Sequence, residues 1–260
     1  MADVTWPVGG ARRRCPSCAG ALAGRVGGVL GVVLRPVTEA KLSDAEGARL
    51  LVDWRAGDAK AGDGFVNAYF PVVLRFFRNK IPSDVELDGV VGQTFEQCQT
   101  TTAPYKGTGS LPGWILGVAR FTLFRHFRAK VAQHKAMDPL PEDLSSADVD
   151  DREPASIMIQ VDELRLALKA LRRIPIDQQI VIEMRVVEGM TLREIAEALD
   201  APQPTVSRRW QLGLVALRKK MEEMEKSPEK FAVSTHSFQS WVGSIKAKLG
   251  DSMGEPDDPE

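Results

Sequence analysis

An all-α fold built from two small helical domains is predicted by three observations. Apolar residues recur at spacings of three and four along most of the chain, with few β-branched runs. Two Ser/Thr-x-x-Glu boxes, at 43–46 and 191–194, mark helix starts. A Pro-rich, acidic stretch near the middle breaks the periodicity and reads as a flexible linker. The 260 residues suffice for two such domains.

The order of elements follows from these signals. Residues 1–41 read as a disordered leader. Arg12, Arg13 and Arg14 precede a Gly-rich apolar run from Ala21 to Leu34 that loosely resembles a signal peptide. Arg25 interrupts the run, and it is too short for a bilayer, which needs about 20 apolar residues. The first domain spans 42–135. Its first helix begins at the Ser43 box, carries Leu50, Leu51 and Trp54, and ends at Gly57-Asp58. A second carries Phe65, Tyr69, Val72, Val73, Phe76 and Phe77 on one face. A third runs from about Glu86 to Gln99 with Val90, Val91, Thr94 and Phe95 inward. A glycine-rich loop at 105–110 leads into a long helix from Trp114 to Lys130.

The linker covers 136–155, and the second domain 156–226. There Leu164, Leu168 and Leu171 line a helix that stops before Pro175, and Ile180, Val181, Met184 and Val187 line the next. Thr191 opens a short helix with Leu192, Ile195, Ala196 and Leu199 inward. After the turn at Asp200-Ala201-Pro202, Pro204 fits the first turn of a last helix, since its missing N–H is no loss there. In the extension at 227–260, Phe238, Trp241, Val242, Ile245 and Leu249 fall on one face of an amphipathic helix. That stripe either packs on the second domain or forms a regulatory helix that masks a binding surface.

Charge and cysteine content narrow the function. The net charge of −1 is uninformative, but Arg and Lys gather at 118–135 and 208–220 while Asp and Glu gather at 138–153 and 251–260. Cys15, Cys18 and Cys98 are too few for a disulfide framework and suit a reducing cytoplasm. Cys15 and Cys18 form half of a zinc-ribbon pattern with no second pair, so no metal, cofactor or catalytic constellation is expected, and the chain is read as a non-enzyme. A redox enzyme using those two thiols is the weakest alternative.

Residues 191–220 carry the strongest functional signal. A short apolar helix, a tight turn and a longer helix exposing polar and basic side chains form a helix-turn-helix pattern. Gln203, Thr205, Val206, Ser207, Arg208 and Arg209 open the second helix, where Arg suits guanine, Gln suits adenine, and Thr and Ser suit phosphates. An ordinary helical hairpin with a solvated basic face is the bland alternative. A stand-alone helix-turn-helix repressor or activator is the functional one.

The run from Leu171-Arg172-Arg173-Ile174-Pro175 through Glu188-Gly189-Met190-Thr191-Leu192-Arg193-Glu194-Ile195-Ala196 to Pro202-Gln203-Pro204-Thr205-Val206-Ser207-Arg208-Arg209 resembles the promoter-reading domain of bacterial sigma factors. Asp88 to Phe95, followed by Tyr105-Lys106-Gly107 and Trp114 to Arg120, is similar to their core-binding domain. Two such domains joined by a linker resemble the extracytoplasmic-function group, over about 42–222. The resemblance implies that Asp88, Gln93, Thr94 and Phe95 dock on core RNA polymerase. It implies that Lys106, Ser110, Trp114, Arg120, Arg125, His126, Arg128 and Lys130 melt and hold the minus-ten element as a single strand. The helix from Gln203 to Arg209 would read the minus-thirty-five duplex, the linker would thread polymerase channels, and an anti-sigma factor would be a further partner. Gly89 and Gly92 stand where the family carries an acidic residue and a glutamine.

Overall fold

In a computed structural model, residues 42–102, 105–107, 109–134, 141–153 and 162–224 are described. The leader, the C-terminal extension, and Cys15 and Cys18 lie outside them. The first domain is formed by α1 (Asp44–Arg55), α2 (Ala59–Arg78), α3 (Asp84–Thr100) and α4 (Leu111–His134). The linker contributes α5 (Ser146–Val149), and the second domain is α6 (Asp162–Leu171), α7 (Ile176–Val186), α8 (Leu192–Ala198) and α9 (Gln203–Met224). Among the described residues there is no strand, only an isolated bridge between Ser145 and Pro175.

Each helix start has a local cause. Ser43 Oγ accepts the Glu46 amide while Glu46 accepts the Ser43 amide at 3.0 Å. Asp58 accepts from Lys60 and Ala61 at the head of α2, Ser83 from Glu86 at the head of α3, and Ser110 from Gly113 at the head of α4. Such caps satisfy donors that the first helical turn leaves free. Packing supplies the rest. Phe65 is fully buried, with Tyr69 at 4.8 Å and Phe95 edge-on at 6.4 Å between ring centroids. Gly62 lets α2 approach the Trp54 indole, because a Cβ there would sit 2.4 Å from the ring.

The two domains are not separate cores. One continuous apolar cluster runs from Leu51 in α1, through Leu116 and Leu123 in α4, to Ile180, Ile195 and Val206. A second cluster joins α6 and α9 through Ala170, Leu171, Ile174, Leu214, Leu217 and Met221. Trp210 packs against both.

The described part of the linker, residues 141–153, carries local structure and contacts both domains. Ser145 and Asp148 form a third capping box, which the acidic composition obscured. The Ala147 amide donates to the Arg172 carbonyl at 2.9 Å, and the Ile176 amide donates to the Leu144 carbonyl at 2.9 Å. Ser146, fully buried, donates to Gln179 Oε1 at 3.0 Å. Asp150 lies 2.7 Å from the Lys130 ammonium of α4. Residues 141–153 therefore strap the first domain to the second.

Candidate nucleic-acid and polymerase interface

The helix-turn-helix is α8, a turn and α9. Thr191 and Glu194 cap α8 reciprocally, with the Thr191 amide donating to Glu194 at 2.7 Å. Asp200 takes φ 48° in the turn, a left-handed conformation that Asp tolerates better than most side chains. Ile195, Ala196 and Leu199 are buried, which fixes α8 as the brace for α9.

That brace sorts the predicted reading residues. Gln203, Thr205 and Arg208 are exposed, and Ser207 is half-buried. Val206 corrects the sequence expectation: it is wholly buried in the core and cannot reach a base edge. Its place in the 206, 210, 214, 217 stripe was the signal for this. Arg209 is turned partly inward, its guanidinium 2.9 Å from Asp177 of α7. Further along α9, Arg218 pairs with Glu222, and Lys219 and Lys220 with Glu223. These pairs offset much of the basic character seen at 208–220, which leaves Arg208 as the exposed cation nearest the helix N-terminus.

The predicted minus-ten residues also divide. Arg125 and Arg128 are exposed, as is Lys106. Arg125 donates to Gln93 of α3 at 3.0 Å, so the two predicted surfaces adjoin. Lys130 is held by Glu86 at 2.8 Å and by Asp150, and these partners keep its ammonium above its ordinary value against the opposing effect of burial. His126 lies 3.3 Å from Glu86, but burial lowers its imidazole below the usual value, which Glu86 only partly opposes. Burial thus disfavours its charged form, which makes it a weaker phosphate partner than the exposed arginines of α4. Trp114 is half-buried, with Tyr105 at 6.2 Å and the Arg55 guanidinium 5.8 Å from its ring. Ser110 is used as the α4 cap. Arg120 reaches out of the first domain to Asp177 at 2.9 Å.

On α3, Asp88 is half-buried and Gln93 exposed, whereas Thr94 and Phe95 are core residues. Thr94 Oγ1 donates to the Val90 carbonyl at 2.8 Å inside its own helix. Thr94 and Phe95 thus shape the helix and do not present a surface to a partner, a second correction. Burial and the neighbouring Asp84 raise the Asp88 carboxyl above the usual range. Gly89 is exposed with open space where a side chain would be, so α3 offers bare backbone between Asp88 and Gln93.

Sequence reasoning missed the acidic partners of these cations. Asp177, Glu183 and Glu188 of the second domain meet Arg120, Lys80 and Arg75 of the first. Arg75 is bidentate, at 3.0 and 2.9 Å. Lys80 is wholly buried against Glu183 and the Phe76 carbonyl. The acidic residues lie on or just after α7, but only tertiary packing shows which cations they face.

No group of three or more His, Cys, Asp or Glu among the described residues could hold a metal ion, and none of the described helices is long and apolar enough to cross a membrane. Burial pushes the Cys98 thiol up to about 12, which makes it unreactive.

Comparison with known proteins agrees with this arrangement. Residues 164–217, which contain most of α6, all of α7 and α8 and two thirds of α9, match the family of sigma-70 region 4. The chain is 25% identical over 158 residues to the ECF RNA polymerase sigma-E factor of Haemophilus influenzae, covering 59% of this chain and 83% of that protein. It is 30% identical over 159 residues to the ECF RNA polymerase sigma factor SigX of Bacillus subtilis, covering 60% of this chain and 81% of the relative. Both matched lengths far exceed the helix-turn-helix alone, and with the two helical domains and their exposed polar edges they place the chain in the family of ECF RNA polymerase sigma factors.

Proposed function

We propose that the chain binds core RNA polymerase through the Asp88–Gln93 edge of α3 and directs it to promoters through α9 and α4. The observation that carries this reading is the exposed row Gln203, Thr205 and Arg208 at the start of a braced helix. A helix so placed enters a major groove with its first turns against base edges. Arg125, Arg128 and Lys106 supply exposed cations for the backbone of a melted strand, and the Tyr105–Trp114 pair supplies a surface on which an unstacked base can rest. Such a protein works by binding and not by covalent chemistry. It acts where polymerase and chromosome meet, in the cytoplasm, with an anti-sigma factor as its inhibitory partner.

The test is capture of core polymerase by the full chain, with Asp88→Arg and Gln93→Ala as variants. Loss of capture by Asp88→Arg with retained helix content supports the assigned edge. Undiminished capture by both variants would move the polymerase contact elsewhere.

A further inference from the structure

Three helices frame a half-open slot of about 50 Å³. Its walls are Phe76 and Asn79 from α2, Leu168 and Leu171 from α6, and Met184 and Val187 from α7 and its end. The charges beside it are already paired. Arg75 grips Glu188 through two hydrogen bonds, and Glu183 holds Lys80. An ionic ligand would have to displace one of these pairs. The volume is also far below the roughly 300–1,000 Å³ of sites that enclose a metabolite-sized ligand, and it suits one apolar side chain.

One polar group in the wall is unmet. Asn79 is 5% exposed. Its Nδ2 donates to the Leu168 carbonyl and to Glu183 Oε1, each at 3.4 Å, which fixes the orientation of the amide. Its Oδ1 accepts no hydrogen bond among the described residues. A buried acceptor in that state is a cost to the fold until a donor reaches it. Apolar walls with one waiting acceptor match tryptophan, which joins a large apolar body to a single N–H donor and carries no acceptor.

Such a residue follows α9. Met221 and Met224, in the last turn of α9, pack in one cluster with Leu168 and Leu171 of α6. The described chain therefore ends beside a wall of the slot. Residues 225–260 come next in the sequence, with Phe238, Trp241, Val242, Ile245 and Leu249 at helical spacing. Residues 225–240 can extend over roughly 50 Å. The length of α6 is only roughly 15 Å, so Trp241 can reach any point along it. Trp54, Trp114 and Trp210 are already engaged in packing. Trp6 precedes Pro7 and belongs to no helical apolar stripe.

We infer that the C-terminal extension folds back on its own chain and seats Trp241 in the slot between α2, α6 and α7, with the indole N–H donated to Asn79 Oδ1. Of the two roles open to the apolar stripe, this slot supports packing, and the exposed starts of α3 and α9 stay uncovered. The inference stands apart from the promoter-reading assignment, which uses no residue beyond 224.

The test places the photoreactive residue benzoylphenylalanine at position 241 of the full chain, irradiates it at low concentration and maps the cross-linked peptides by mass spectrometry. The product should have the mass of one chain, joined to the slot residues of α2, α6 or α7. Trp241→Ala should lower the melting temperature by about 4 °C, and Trp6→Ala by less than about 1 °C. Trp241→Phe, which keeps a ring and loses the donor, should fall between wild type and Trp241→Ala. Val187→Trp fills the slot from its own half-buried wall. In that background the slot cross-links should vanish, and Trp241→Ala should have little further effect, as coupled positions show. Circular dichroism checks that Val187→Trp folds, and the cross-link map itself needs no slot variant. Cross-links confined to dimers would give the slot to a second copy and overturn the inference. So would cross-links to α3 or to the first turns of α9, which would make the stripe a mask. Absence of cross-links with unchanged melting, or a fall in melting for Trp6→Ala alone, would overturn it as well.

Discussion

Glu183→Gln tests the buried charge pair that crosses the domain boundary. Lys80 is wholly buried, and its charged neighbour is Glu183, itself almost buried. The ammonium otherwise meets the Phe76 carbonyl and lies 4.2 Å from the Phe76 ring centroid. Neutralising Glu183 leaves a buried cation with the Phe76 carbonyl and only the weaker pull of Glu188, a change of the kind that costs about 3 kcal/mol. The reverse change is milder. In Lys80→Met, Glu183 keeps the Gln179 amide at 2.9 Å and the Asn79 amide at 3.4 Å, so about 1.5 kcal/mol is expected. The double variant should cost less than the two singles together, because neither charge remains to be stranded.

The pH response carries the same signature. Burial already lowers the Lys80 ammonium below its ordinary value, with Glu183 opposing. Without Glu183 that depression deepens, so the folded chain binds fewer protons than the unfolded one over the interval below the ordinary lysine value. Stability of Glu183→Gln should therefore rise with pH through the weakly alkaline range more steeply than that of the wild type. Urea unfolding followed by circular dichroism at several pH values reads both effects. A Glu183→Gln chain within about 0.5 kcal/mol of the wild type, with a parallel pH profile, would refute the reasoning.

Three further outcomes follow from the same structure. Val206→Ala should destabilise the fold by about 2 kcal/mol, as loss of buried methyls does, and its effect on duplex binding should disappear when binding is measured well below the melting temperature. Gln203→Ala and Arg208→Ala, at exposed positions, should leave the melting temperature unchanged while weakening promoter duplex binding by about 1–3 kcal/mol each, read by anisotropy at fixed salt. Asp150 is held below the usual carboxylate range by Arg152 and then Lys130, so its contribution is present at neutral pH and is lost as the pH falls through and below that range. Asp150→Asn should thus lower stability near pH 7 and flatten the acid limb of the stability profile, measured by thermal melting.

The helices were legible because their causes are local. The caps at Ser43 and Thr191 and the apolar stripes of α2, α3 and α9 each lie within a few residues of sequence. The same stripes hold the correction for Thr94, Phe95 and Val206: a residue on the apolar face of a helix is spent on packing, whatever motif it belongs to. What the sequence does not display is distance across the chain. Arg120 reads as one more cation in a basic helix until Asp177, 57 positions later, is seen beside it. Nothing in the sequence singles out glycines 113 and 117, yet the Ala198 Cβ lies against the first and the Ala198 carbonyl against the second. The contacts of the linker are hidden for a different reason. Its prolines and acids dominate composition, while the Ser145–Asp148 box and the Asp150–Lys130 pair depend on four residues.

The most direct measurement is transcription from fragments of the source genome by core RNA polymerase, with and without the full chain, with start sites mapped. The account predicts discrete starts that require the chain and that disappear with Arg208→Ala while polymerase capture persists. Absence of any chain-dependent start, with tight duplex binding by the chain alone, would contradict it.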